Sequence, residues 1–144
     1  MTAALFQRVL LDTGPLVAIL NRGDSQHERC VQVLKLIRPP LLTSWPVITE
    51  AAWLLRNHHD LLGGLYALAA RGVFEIQEIS QKELGDLQKL MNRYKTLSPQ
   101  LADLSLVHLA HRAGLETVFT LDRRDFSVYR RKGRAGFQLL PEHE

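Results

Sequence analysis

The sequence predicts an α/β fold with a mostly parallel sheet flanked by helices, and three observations carry that prediction. Short apolar runs recur along the chain: Val9-Leu10-Leu11, Leu41-Leu42-Thr43 and Val118-Phe119-Thr120-Leu121. Each is bounded by turn or capping residues, as buried strands are. Between them lie segments of helical periodicity, so strands alternate with helices or helix pairs, which is the pattern of a sheet covered on both faces.

Taken in order, Val9-Leu10-Leu11 ends at Asp12-Thr13-Gly14-Pro15, a strand feeding a helix with Pro15 suited to its first turn. Asn21-Arg22-Gly23-Asp24 breaks that helix. A second helix spans about Ser25 to Ile37, with Cys30, Val31, Leu34 and Ile37 at helical spacing, and Pro39-Pro40 stops it. After the strand Leu41 to Thr43, Ser44 and Pro46 open a helix carrying Val47, Glu50 and Leu54. Leu61 to Arg71 is a further helix closed by Gly72, and Val73 to Ile79 reads as a strand. Ser80-Gln81-Lys82-Glu83 is a capping box at the head of another helix. The next begins at Ser98-Pro99 and ends near Gly114. The strand Val118 to Leu121 runs into Asp122, and Phe137 to Leu140 is the final strand.

At 144 residues, with neither repeat nor linker, the chain reads as one domain, 1–144. The apolar share of 46% can build one sizeable core, and 23% charged residues suit a soluble chain. No run is long enough to span a bilayer, and residues 1–9 do not read as a signal peptide. Cys30 is the sole cysteine, which excludes an internal disulfide and a multi-cysteine metal site and fits a reducing, cytoplasmic setting. A net charge of +3 and a pI near 9.3 hint at a polyanionic partner.

Four acids stand out. Ligands of parallel sheets gather beyond the carboxyl ends of the strands, and Asp12 and Asp122 each follow a strand there. Read singly, Asp12 is an ordinary helix cap or turn residue and Asp122 an Asx turn. Asp103 shares a helix stripe with Leu106, Val107 and Ala110, opposite Ser105, His108 and Arg112, so it falls on the face expected to be buried. Its ordinary reading is a first-turn acid on the helix dipole. Glu50 lies one turn from Val47 and Leu54 at the edge of an apolar stripe. If the four converge they repel one another unless some stay protonated or a cation sits among them. Magnesium prefers such oxygen donors, whereas zinc would want cysteines or a spaced His pair that the sequence lacks. His27, His58, His59, His108 and His111 read as surface or supporting residues, Trp45 and Trp53 as core, and Cys30 as inert packing.

These residues also carry a resemblance. The stretch from Val9 to Ala18 is similar to the opening of PIN domains, in which a strand ends in an aspartate and a hydroxyl residue. Thr49-Glu50-Ala51-Ala52-Trp53 resembles their internal glutamate helix, and Leu101 to Val107 their helix with the third acid. Phe119-Thr120-Leu121-Asp122-Arg123-Arg124-Asp125-Phe126 resembles the closing T-x-D-x-x-D-F element. All four occur in the family's order over nearly the whole chain.

The resemblance implies a three-layer PIN-like (Rossmann-like) fold and a magnesium- or manganese-dependent endoribonuclease, most often the toxin of a VapBC-type toxin–antitoxin pair. It also implies a homodimer held inactive by a small antitoxin that blocks the site. Carried over by position, Asp12, Glu50, Asp103 and Asp122 form the acidic quartet. Asp12 and Asp103 are the direct metal ligands, with Glu50, Asp122 and Asp125 as further candidates. Thr13 and Thr120 orient carboxylates or bound water. Asp125 is equally readable as the cap of a short helix through Tyr129.

The implied chemistry is hydrolysis of an RNA phosphodiester. Arg123, Arg124, Arg130 and Arg131, with Lys132 and Arg134 close behind, follow Asp122 and could grip the flanking RNA backbone or simply form a solvated basic surface. A haloacid-dehalogenase-like phosphatase would need a second acid where Gly14 stands, and no glycine-rich phosphate loop follows Leu11. The remaining alternative is a non-catalytic PIN-like module that binds RNA or protein.

Overall fold

The computed structural model describes residues 3–142. Five short strands, β1 (Leu10–Leu11), β2 (Leu41–Thr43), β3 (Phe74–Ile76), β4 (Thr117–Phe119) and β5 (Gln138–Leu140), form one sheet in the order β3-β2-β1-β4-β5. Every pairing is parallel, with Leu10 opposite both Leu42 and Val118. Seven α-helices flank the sheet among the described residues: α1 (Thr13–Leu20), α2 (His27–Leu34), α3 (Trp45–Leu54), α4 (His59–Ala70), α5 (Leu84–Arg93), α6 (Leu101–Ala113) and α7 (Arg123–Phe126).

The strand order has a functional consequence. The chain builds outward from β1 through β2 to β3, then crosses to the other side of β1 to lay down β4 and β5. The β1/β4 boundary is therefore the topological switch point, where loops leaving the two strands diverge and open a crevice. Asp12 follows β1 and Asp122 follows β4, so the order of the strands brings the two together.

Central position also explains composition. Val9, Leu10 and Leu11 are essentially inaccessible to solvent, as are Val118 and Phe119 opposite them, because β1 and β4 are covered on both faces. Burial of these strands joins one contiguous cluster with Leu16, Leu41, Leu106, Val107, Phe126 and Tyr129. The last two are wholly buried and tie the segment after β4 to the core. Ser44 caps α3 through Val47 N–H, and the Ser80–Glu83 capping box is formed in full. Gly114 closes α6 in the left-handed conformation at φ +66° that glycine adopts without strain.

Several expectations need correction. Trp45 and Trp53, read as core, are 57% and 62% exposed, and Arg56 lies over the Trp53 ring at 3.7 Å. The apolar periodicity of α3 is real, but only Val47 and Ala51 on it are buried. The stripe of α6 assigned away from the core is in fact buried at Ser105 and His108, leaving only Arg112 exposed. Helix α6 packs against both α3 and α5, so a two-sided reading of its faces fails. Ser105 is satisfied by the Ser44 hydroxyl and the Ala102 carbonyl, and His108 by Glu83. The strand expected at Val118 to Leu121 stops at Phe119, and Asp125 lies inside α7, whose cap is Asp122.

Candidate functional site

The site begins with how Asp12 is held. Its backbone N–H donates to the Phe119 carbonyl at 2.9 Å, continuing the β1/β4 ladder by one residue. The side chain then caps α1: Oδ1 accepts from Thr13 N–H at 2.8 Å and Oδ2 from the Thr120 hydroxyl at 2.7 Å. Thr120 Oγ1 in turn accepts from Asp122 N–H at 3.0 Å, and Asp122 Oδ1 accepts from Asp125 N–H at 3.1 Å. One chain of hydrogen bonds therefore runs from the end of β1 to the first turn of α7. Gly14 fits closely beside it: a Cβ there would sit 3.3 Å from Leu121 Cβ, and Leu121 would have to shift slightly to admit it.

Three carboxylates converge across this crevice. Asp103, half-buried on the first turn of α6, and Asp122 and Asp125 on α7 each offer an oxygen within 4.8 Å of the others. Asp12 lies outside that tight trio yet close enough that its charge is felt at Asp103, and Asp122 and Glu50 both repel Asp12. Glu50, half-buried on α3, is near enough for its charge to be felt at Asp12. The acids foreseen from the sequence thus meet at one edge, with Asp125 inside the tightest group and Glu50 at its margin.

Crowding and burial shift the charges. Asp12 is only 7% exposed, and loss of water pushes its carboxyl up to about 6 despite the Thr120 and Thr13 hydrogen bonds that favour the anion. Asp103 is pushed up to about 7, first by burial and then by repulsion from Asp12, partly offset by the Tyr129 hydroxyl that donates to its Oδ2 at 3.2 Å. Tyr129 is raised above its ordinary range by burial and by that neighbouring carboxylate.

The donor set is suited to a hard divalent cation. Every converging atom is a carboxylate oxygen, and the raised Asp12 and Asp103 carboxyls are buried first and repelled by neighbouring acids second, a charge that a cation would offset. An independent observation agrees: the Thr13 hydroxyl is buried with no hydrogen-bond partner among the described residues. A buried hydroxyl without a partner is costly, and at the head of α1 beside Asp12 it is placed to bond a ligand of the acidic edge.

The basic residues divide. Arg123 donates to the Pro141 carbonyl at 2.6 Å, and Arg124 is exposed at the head of α7. Arg130 donates to the carbonyls of Ser127 and Tyr129, while Arg131 pairs with Glu116 at 3.0 Å and bonds the Gly136 carbonyl. Arg130 and Arg131 line a groove against α5 and α6 rather than the acid cluster. Sequence reasoning missed Tyr129 as a partner of Asp103, although its place four residues past Asp125, about one helical turn, was a usable signal. Cys30 is fully buried with its thiol pushed up to about 11, chiefly by burial, which suits packing rather than reactivity.

Comparison with known families gives a match between residues 9–132 and the PIN domain model. The chain belongs to the PIN domain family. Among curated proteins it is 26% identical over 135 residues to Ribonuclease VapC26 of Mycobacterium tuberculosis, covering 92% of this chain and all of that relative. Among solved structures, Mycobacterium tuberculosis VapC20, described as a sarcin-ricin-loop-cleaving toxin, superposes with a TM-score of 0.72. That match covers 83% of this chain and 91% of VapC20 at 16% identity, which is a likeness of fold. The all-parallel sheet accords with that likeness of fold. No helix among the described residues is long and apolar enough to cross a membrane.

Proposed function

We propose that this PIN-domain chain is a metal-dependent endoribonuclease that hydrolyses RNA phosphodiester bonds, with magnesium or manganese as its ion, and that it is the toxin of a VapBC-type pair. The observation that carries the reading is the convergence of Asp103, Asp122 and Asp125, with Asp12 and Glu50 beside them, at the β1/β4 switch point. Full-length similarity to a protein named a ribonuclease supports it. Asp12 and Asp103 are held back from ionising first by burial and then by neighbouring carboxylates, a cost that a cation among them would offset.

In this reading Asp103, Asp122 and Asp125 hold the ion together with Asp12, whose orientation Thr120 and the Thr13 N–H fix. Thr13 Oγ1 receives a hydrogen bond from, or gives one to, a ligand at that edge. Glu50 adds charge on the α3 side. When bound, the cation neutralises charge on the phosphate and acidifies the attacking water. Tyr129 holds Asp103 in place through its hydrogen bond to Oδ2, so the carboxylate loses little entropy on engaging its ligand.

The exposed apolar residues of α3 and α4, Trp53, Leu54 and Tyr66 among them, form the surface on which we place a second copy of the chain. A small antitoxin would cover the acidic edge, and the working compartment is the cytoplasm. Incubating the purified protein with structured and single-stranded RNA, with magnesium or with chelator, tests the activity. Cleavage at internal bonds that needs magnesium and disappears in Asp103→Asn is expected. Binding of RNA with no cleavage under any divalent ion would leave the chain a non-catalytic module.

A further inference from the structure

A second feature lies behind the acidic edge. A groove of about 1050 Å³ runs between α5, α6 and the loop after Tyr129. Seven of the chain's 18 Lys and Arg residues line it against two of its 15 acids, so the groove carries a formal +5 although the whole chain carries only +3. Everything outside the groove is therefore net acidic. The basic character of this protein belongs to one place.

Two of those cations are already committed, Arg112 to Glu83 at 2.6 Å and Arg131 to Glu116. Lys89, Arg93, Lys132 and Arg134 are exposed and have no ion pair among the described residues. Lys89 and Arg93 stand one helical turn apart on α5. Lys132 and Arg134 occupy the tip of a loop that is fixed at its base, where Arg131 N–H donates to the Ala135 carbonyl at 2.8 Å and His111 bonds the Arg130 carbonyl. Unpaired cations are thus presented from both walls. The far wall adjoins the reaction site: Tyr94 packs edge-on against Tyr129 at 4.9 Å and accepts from Arg130 N–H, while the Tyr129 hydroxyl is bonded to Asp103.

We propose that this groove is a docking track for the phosphate backbone of an RNA strand whose scissile bond lies at the acidic edge. The ligand class rests on the ribonuclease reading, whereas the cationic track rests on the groove alone. The acidic cluster repels a polyanion everywhere except where its cation sits, so a chain of phosphates needs a cationic hold nearby, and here one aromatic pair separates the two. The grip is blind to sequence. Of the groove's rings, Tyr94 is buried against Tyr129, His108 is buried against Glu83, and His111 is half-buried and tied to the Arg130 carbonyl, so none is a free platform for a base.

Equilibrium binding of a fluorescein-labelled, mixed-sequence single-stranded RNA in chelator, read by anisotropy across a salt series, tests the track without any need for cleavage. Lys89→Glu with Arg93→Glu should weaken binding about tenfold or more and reduce the slope of log affinity against log salt by about 2. Lys132→Glu with Arg134→Glu, on a different element, should do the same, so a folding defect in one pair does not mask the result. Circular dichroism and melting confirm that each is folded. Wild-type affinity and salt slope in both folded pairs would overturn the track. So would loss of binding to poly-glutamate with RNA binding intact, which would assign the groove to an acidic protein. Magnesium-dependent cleavage by the wild type is scored separately, so failure of the nuclease reading and failure of the track are told apart.

Discussion

Thr120 donates its hydroxyl to Asp12 Oδ2 at 2.7 Å across 108 positions of sequence, and Thr120 Oγ1 itself accepts from Asp122 N–H. This one side chain locks the ends of β1 and β4 together at the place where the acids meet. Its replacement by valine keeps the shape and removes both bonds. Asp12, buried and deprived of a donor, should hold its proton more tightly. We expect Thr120→Val to lose about 1–3 kcal/mol of stability by denaturant melting, more at pH 8 than at pH 5, together with weaker magnesium binding.

Thr13 should respond with the opposite sign to the same change. Its hydroxyl is buried and bonded to nothing in the described chain. Thr13→Val should leave metal-free stability unchanged or raise it by up to about 1 kcal/mol, because an unsatisfied polar atom disappears. Magnesium-dependent cleavage should nonetheless fall. A metal-free melting midpoint clearly below wild type would show that Thr13 has a structural partner.

The pH dependence of stability follows from the same crowding. Asp12 is pushed up to about 6 and Asp103 to about 7, so between pH 4 and 7 the folded chain binds more protons than the unfolded one. Stability from these groups therefore falls as pH rises through that window, Asp12 accounting for a loss on the order of 2 kcal/mol. Glu83 acts the other way. Its carboxyl is held down to about 2 by the Ser80 N–H, His108 and Arg112, so its contribution is lost only as pH falls below about 4. Metal-free protein should melt highest near pH 5, and saturating magnesium should flatten the decline toward pH 8. A melting temperature that climbs from pH 5 to pH 8 in chelator would contradict the crowded-acid picture.

What could be read in advance was what depends on local chain chemistry. A strand that ends in an aspartate announces both its own end and the cap of the next helix, so Asp12 and Asp122 were legible together with the parallel sheet. Asp103 was legible as an inward acid, although the reasoning behind it was only half right. Helix α6 packs against both α3 and α5, so Ser105 and His108 are also buried and survive by bonding Ser44 and Glu83. Those partners lie 61 and 25 positions away, beyond the reach of periodicity. Trp45 and Trp53 were misplaced because apolar character reports what a side chain would gain from burial, not whether a neighbour exists to bury it.

That exposed aromatic surface leads to its own test. Trp53 and Leu54 lie on the open side of α3, and an apolar pair left in solvent suits a contact with another chain. Trp53→Ser with Leu54→Ser should leave the melting temperature within a few degrees of wild type at low concentration. In sedimentation it should shift the protein toward monomer. A wild-type chain that is already monomeric throughout the micromolar range would remove the basis for a twin on this face.

Asp103 can be separated from the acids that merely hold the fold together by comparing three substitutions. Asp103→Asn removes one charge from a repelling cluster while its amide oxygen can still accept from Tyr129. Metal-free stability at pH 8 should therefore stay level or rise, and cleavage should vanish. Glu83→Gln removes the charge that His108 and Arg112 both use and leaves one amide oxygen for three donors, Ser80 N–H included, so its melting temperature should fall while cleavage persists in the folded fraction. Tyr129→Phe keeps the ring packed at 4.9 Å from Tyr94 and 5.0 Å from Phe126 and loses only the hydroxyl. It should cost no more than about 1.5 kcal/mol, and because Asp103 loses a donor that favours its anion, the acidic limb of the pH–rate profile should move to higher pH. Tyr129 is then a positioning residue, and the moved limb is the sign that a purely structural tyrosine would not give. If Asp103→Asn melts well below wild type in chelator and still cuts RNA with magnesium, Asp103 belongs with Glu83 as a structural acid.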